Sequence, residues 1–206
     1  MIELYISCLI TFFVVIDPPG CAPIYAGLTT GATPPHRRAM AVRAVVVATL
    51  ILLVFAAFGE TLLSALGISL ASFRIAGGIM LFLIALEMVF EKRTERREDR
   101  AAKVAATPEV EDVSIFPMAM PMIAGPGSIA SVMLMMSRNH GAERVAVVLA
   151  ALLTILALTL VALIAAGPIM KVLGAKIEAV ITRILGVLLA ALAVQFVIDG
   201  LQVQLH

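Results

Sequence analysis

The chain has 206 residues, 62% of them hydrophobic, with a mean hydropathy of +1.08 and a formal net charge of +1. That composition excludes a water-soluble globular domain, and so small a net charge leaves no electrostatic footprint for nucleic acid. The cysteines, Cys8 and Cys21, fall on one helical stretch that separates them by roughly 20 Å, beyond disulfide reach; no Cys/His spacing suggests a metal, and no cofactor is expected.

Apolar segments run over 2–28, 40–63, 72–90, 113–137, 146–170 and 177–198, each near the roughly 20 residues that cross a bilayer as a helix. The fold expected is an all-α integral membrane protein of six transmembrane helices, built as two inverted three-helix repeats with helices 1 and 4 broken. The first repeat takes 1–91, a linker 92–112, and the second repeat 113–206. The N-terminus, MIELYISCLI, lacks a basic region before its apolar run, so it reads as a retained first span and not a cleaved signal.

Span one carries Asp17-Pro18-Pro19-Gly20-Cys21 near its centre. Pro18 and Pro19 supply no N–H and their rings clash with the preceding turn, while Gly20 tolerates unusual backbone angles. The helix should end near Ile16 and restart near Gly20. Prolines often only kink membrane helices, and a lone Asp can simply bond a neighbour. Yet a carboxylate at mid-membrane is costly enough to count as functional by default.

Spans two and three follow, then the one long polar connection, EKRTERREDRAAKVAATPEVED, over 91–112. Eleven of the 15 Lys and Arg fall on one side of the expected topology: those of the first loop, the linker, and a loop holding Lys171 and Lys176 after span five. Only Arg138 and Arg144 fall opposite. Basic residues favour the cytoplasm, so both termini are expected outside and the linker inside.

Span four repeats the interruption of span one, with Ala124-Gly125-Pro126-Gly127-Ser128 near its middle. Shifted by 107 residues, Pro19-Gly20 falls on Pro126-Gly127. Spans three and six echo each other too: Arg74-Ile75-Ala76-Gly77 parallels Arg183-Ile184-Leu185-Gly186 at an offset of 109. Three spans per half would invert the second copy. Paired Gly/Pro-interrupted spans at matching positions of two halves point to a transporter binding site.

The stretches DPPGCAPIY (Asp17 to Tyr25) and PMIAGPGSI (Pro121 to Ile129) resemble the two signatures of the MarC family of integral membrane proteins. Phe73 to Gly78 and Ala193 to Gly200 are similar to it as well, so the resemblance covers the whole chain. It implies transport of small neutral amino acids of the glycine and alanine class, and location in the cell membrane.

A zwitterion needs an anion site beside a cation site. Helices restarting at Gly20 and Gly127 would turn N–H groups and positive dipole ends toward a carboxylate. Helices ending near Ile16 and Ile123 would turn carbonyls toward an ammonium. Asp17 would add a formal charge or carry a coupling proton, with sodium as the other candidate ion. Small residues around both breaks favour small ligands, although they also serve close helix packing. Candidate gate pairs are Arg74 with Glu60 on one side and Arg183 with Glu178 on the other; headgroup snorkelling explains both arginines more simply. Thr49, Thr154, Thr159 and Gln195 read as interhelical hydrogen-bond groups, and Met120, Met122, Met133, Met135 and Met136 as packing. The competing readings are a channel or pore for a small solute and a transporter of another small metabolite. An enzyme is not expected, since no nucleophile sits with a base.

Overall fold

The structure, a computed structural model, describes residues 1–90 and 112–205, with side chains there except at 169–176, 178, 179, 204 and 205. The linker apart from Asp112, and the side chains of Lys171, Lys176 and Glu178, lie outside these residues. The helices are α1 (Ile2–Ile16), α2 (Pro18–Leu28), α3 (Pro34–Ala65), α4 (Leu70–Val89), α5 (Ser114–Ile123), α6 (Pro126–Arg138), α7 (Ala142–Ile164) and α8 (Ala166–Leu205). Among the described residues, five stretches are long and apolar enough to cross a membrane, and α5 with α6, bent by 52°, makes a sixth. The protein is an all-α integral membrane protein, as its composition requires.

Local chemistry sets most of the boundaries. Pro34 and Pro35 open α3, where proline fits the first turn. Gly67, at φ 69°, turns the chain after α3 while its N–H bonds Ser64 O at 3.0 Å; a left-handed angle there suits glycine. Ser69 caps α4 by accepting from Ser72 N at 3.1 Å. Along α3 the residues Val42, Val46, Leu50, Val54, Phe58 and Leu62 are all exposed. Their four-residue spacing makes one lipid-facing stripe. The opposite face buries Ala41, Ala44, Ala48, Leu52 and Ala56.

One expected connection is absent. The residues around Lys171 and Lys176 form no loop: α7 ends at Ile164 and α8 starts at Ala166, then runs 40 residues. The stretch KVLGAKIEAV is rich in good helix formers, and Pro168 lies in the first turn of α8, where proline is tolerated. Charge alone suggested a loop; propensity carried the helix through it.

The chain reverses direction at each crossing. One end of the bundle carries Met1, the 66–69 turn, the 139–141 turn and Leu205; we call it the terminal end. Asp112 and Ala165 mark the linker end. The most extensive packing joins α4 to α8, antiparallel. A methyl on Gly78 would sit 2.8 Å from Ala193 O, one on Gly186 3.1 Å from Ala85 O, and one on Gly200 3.0 Å from Ala71 O. Glycines at three levels therefore bring the two backbones together, as small residues do where lipid supplies no hydrophobic drive.

The other contacts form a pattern. α1 packs on α6 and α2 on α5; span one packs on α7, and span four on α3. α3 also meets α7, α4 meets α6, and α2 meets α8. Exchanging the halves of the chain maps most of these pairings onto one another. Interhelical hydrogen bonding is sparser than expected. Thr154 bonds across to Tyr5 at 2.9 Å, but Thr49, Thr159 and Gln195 bond within their own helices, to Val45 O, Ile155 O and Asp199. Of the methionines expected to pack, Met122, Met133, Met135 and Met136 are buried or half-buried, whereas Met120 is exposed.

Candidate functional site

The first break is a single residue. Asp17 takes left-handed angles, φ 58° and ψ 64°, closing α1 with its N–H on Phe13 O at 2.9 Å. Asp tolerates this conformation better than most side chains. It also opens α2. Pro18 and Pro19 fill the first turn and present no N–H, so Gly20 N is the first donor to meet, and Asp17 Oδ1 accepts it at 3.1 Å. A carboxylate bonding the third helical N–H is the usual N-cap. Asp17 is 1% exposed. The expectation that Gly20 N–H awaits a substrate carboxylate therefore changes: Asp17 occupies it.

The second break is larger and capped differently. Phe116 and Met120 are extended, at φ −125°, ψ 125° and φ −132°, ψ 123°. Each precedes a proline, which pushes its predecessor out of the helical region; both peptide bonds are cis. The chain rewinds to Ile123, passes through Ala124 and Gly125, and restarts at Pro126. Pro126 again lacks a donor. Gly127 and Ser128 come next, and Gly125 at the cap position provides no side-chain acceptor for them. A methyl on Gly125 would strike Pro121 O, so only glycine fits that bend.

The breaks meet. Gly127 lies against span one: a methyl there would sit 3.4 Å from Val15 Cγ1 and 2.6 Å from Ile84 Cδ1. Val15 is two residues before Asp17. Of the ten residues expected at the site, Asp17, Pro18, Gly20, Cys21, Ala124, Gly125, Gly127 and Ser128 are buried, Pro19 is half-buried and Pro126 is exposed. One buried carboxyl group and one helix N-terminus without a side-chain cap thus share the interior. Such a pair is suited to opposite ends of a dipolar molecule. One turn further into α6, the hydroxyl of Ser131 is buried without a hydrogen-bond partner.

The expected gates fall elsewhere. Arg74 does not pair with Glu60; its Nη2 donates to Ser137 O at 3.2 Å. Beside it, Arg138 Nη2 meets Asp199 Oδ2 at 2.7 Å and its guanidinium lies 5.4 Å from the Phe196 ring centre. Gln195 Nε2 braces Asp199 Oδ1 at 2.7 Å. This cluster ties α4, α6 and α8 at the terminal end. Sequence reasoning gave Asp199 no role, because its partner lies on a different span; only a carboxylate near the end of an apolar run hinted at it. Glu60 instead lines a separate cavity. Arg183 is exposed on α8, and Glu178 lies outside the described side chains. At the linker end, Arg43 pairs with Asp112, whose Oδ1 accepts Ser114 N at 2.9 Å. Burial pushes the Asp112 carboxyl up, but its Ser114 hydrogen bonds and the Arg43 and His36 charges outweigh that and hold it below the usual carboxylate range.

Comparison with known proteins matches the profile described as MarC family integral membrane protein to residues 2–205. The chain belongs to the MarC family. Among relatives, the UPF0056 membrane protein MJ1677 of Methanocaldococcus jannaschii is 34% identical over 204 residues, covering 98% of this chain and 97% of its own. YvbG of Bacillus subtilis, another UPF0056 membrane protein, is 32% identical, covering 98% and 96%. The UPF0056 inner membrane protein YhgN of Escherichia coli is 32% identical, covering 96% and 95%. No solved structure matches. Both MarC-like signature stretches coincide with the two breaks, so the residues that carry the likeness also build the buried site.

Proposed function

We propose that the protein is a secondary transporter of small neutral amino acids, glycine and alanine sized, working by alternating access around the two breaks. The observation that carries the proposal is the asymmetry of the breaks. Asp17 caps its own helix with a buried carboxyl group, while α6, whose Gly127 lies against Val15 two residues before Asp17, begins with no side-chain cap. An ammonium group would sit by Asp17 and a carboxylate by Gly127 and Ser128. Gly20, Ala22, Ala124 and Gly125 are small and buried, which suits a small ligand held close to the backbone. Asp17 would also be the residue through which a proton or sodium ion couples to transport.

The pairing of helices is consistent with two inverted repeats, 1–91 and 113–206, joined by a cytoplasmic linker with both termini outside. The inner-membrane name of the Escherichia coli relative supports placing this chain in the cell membrane too. No reaction is ascribed to it. The test is counterflow: purified protein in vesicles preloaded with unlabelled glycine or alanine should accumulate the labelled amino acid, saturably. Absence of counterflow with every small neutral amino acid would overturn the substrate, and non-saturating conductance would make the protein a channel.

A further inference from the structure

A cavity of about 180 Å³ opens at the terminal end, between α3, α6 and the 139–141 turn. It contains no residue of either break. Glu60 and His140 stand at its exposed rim; Ser137 and Asn139, both buried, lie deeper, with Met133 and Phe55 among its apolar walls. A liquid water takes roughly 30 Å³, so the space suits a solute of a few heavy atoms with some of its hydration.

The side chains there are biased toward accepting, while the start of α7 at Gly141, with no side-chain cap, is the main source of donors at the cavity's edge. Ser137 Oγ donates to Leu134 O at 2.9 Å, which uses its hydrogen and leaves its lone pairs. Asn139 Nδ2 donates one of its two N–H groups to Met135 O at 2.9 Å, and its amide oxygen is an acceptor. Glu60 only accepts when ionised. Of the nearby guanidinium groups, Arg138 meets Asp199, and Arg74 Nη2 donates to Ser137 O while its Nε has no hydrogen-bond partner. A site whose side chains mostly accept selects a ligand that donates and carries positive charge.

The geometry points to a second binding site here, for a primary ammonium group, with Glu60 as its counter-charge and Ser137 and Asn139 as further acceptors. It rests on the transport reading only for its role after binding: there it would hold the ammonium end of an arriving amino acid, at the end of the half-helix that leads to Gly127. Binding itself is independent of transport, and so is the test.

His140 is one of 3 histidines in the chain, and its ring signal in detergent micelles, assigned with His140→Gln, reports on the rim. Methylammonium chloride is titrated against sodium chloride at matched ionic strength, with sodium acetate as the anion-only probe. The site predicts a saturable shift with methylammonium and with glycine but not with acetate. Glu60→Gln should weaken it at least about tenfold, some 1.4 kcal/mol, and Glu60→Asp should retain part of the affinity. No saturable shift with methylammonium, an equal shift with acetate, or unchanged affinity in Glu60→Gln overturns the site. Because Glu60 is exposed, its variants should fold. Failed counterflow with intact methylammonium binding would reject the transporter and leave this site standing.

Discussion

Asp17 performs two tasks that can be separated by substitution. It holds a left-handed backbone while its carboxyl caps Gly20, and that carboxyl is the group proposed to meet the substrate. Asparagine keeps the cap and tolerates the backbone, so Asp17→Asn should change stability by well under about 1 kcal/mol. Glycine accepts the backbone but loses the cap, for a few tenths of a kcal/mol more than asparagine. Alanine loses the cap, about 1 kcal/mol, and must adopt φ 58°, about 1–2 kcal/mol more. Asp17→Ala should therefore be the least stable, by about 2–3 kcal/mol in total. Loss of the buried acidic group is common to all three, so it cancels from the ranking. Unfolding of purified variants in mixed micelles gives the order, and glycine uptake into vesicles reads the charge. Asparagine as destabilising as alanine would refute the capping account. Undiminished uptake by the asparagine variant at every pH would refute a need for the carboxylate in transport.

Gly127→Ala should fold, because the nearest atom is the movable end of Ile84, yet lower glycine uptake at least about tenfold by covering the N–H groups at the start of α6; normal uptake in vesicles would contradict the anion site. Gly78→Ala meets backbone atoms of α8 and should lower stability by about 1–3 kcal/mol, whereas Gly27→Ala meets nothing within 4 Å and should not; micelle unfolding compares them. Asp199→Asn should loosen the terminal end, leaving Arg138 and Arg74 to face each other, and amide exchange near the end of α8 should accelerate. Because folding lowers the pKa of Asp112, its contribution to stability is fully present above the unfolded value of about 3.9. It is lost as pH falls through the lower folded value, so Asp112→Asn and the parent should converge in stability at strongly acid pH and diverge above it.

The interruptions were legible because proline and glycine act locally. The prolines after Asp17 end α1 at Ile16, and Gly125-Pro126 ends α5 at Ile123. The cap was harder to read: a left-handed Asp17 lets α2 resume at Pro18 with no open stretch, whereas flexible glycine suggested one. The extended Phe116 and Met120 were readable from the prolines directly after them. Partners across spans were not. Arg74 and Glu60 looked like a pair from position along their helices, but rotation about each axis decides contact, and a nearly uniform apolar sequence gives little information about rotation. Lys171 and Lys176 misled for a related reason: charge marks where water or headgroups lie, and a helix can continue there.

The glycine-lined contact between α4 and α8 links the last helix of one half to the last helix of the other. Backbones touching at three heights interlock like zipper teeth, and they resist sliding past one another. A working cycle that rocked the N-terminal half as one rigid block against the C-terminal half would have to tear that fastening open. A cycle that kept α4 and α8 together as a mast would instead put its movement in the interrupted crossings beside them.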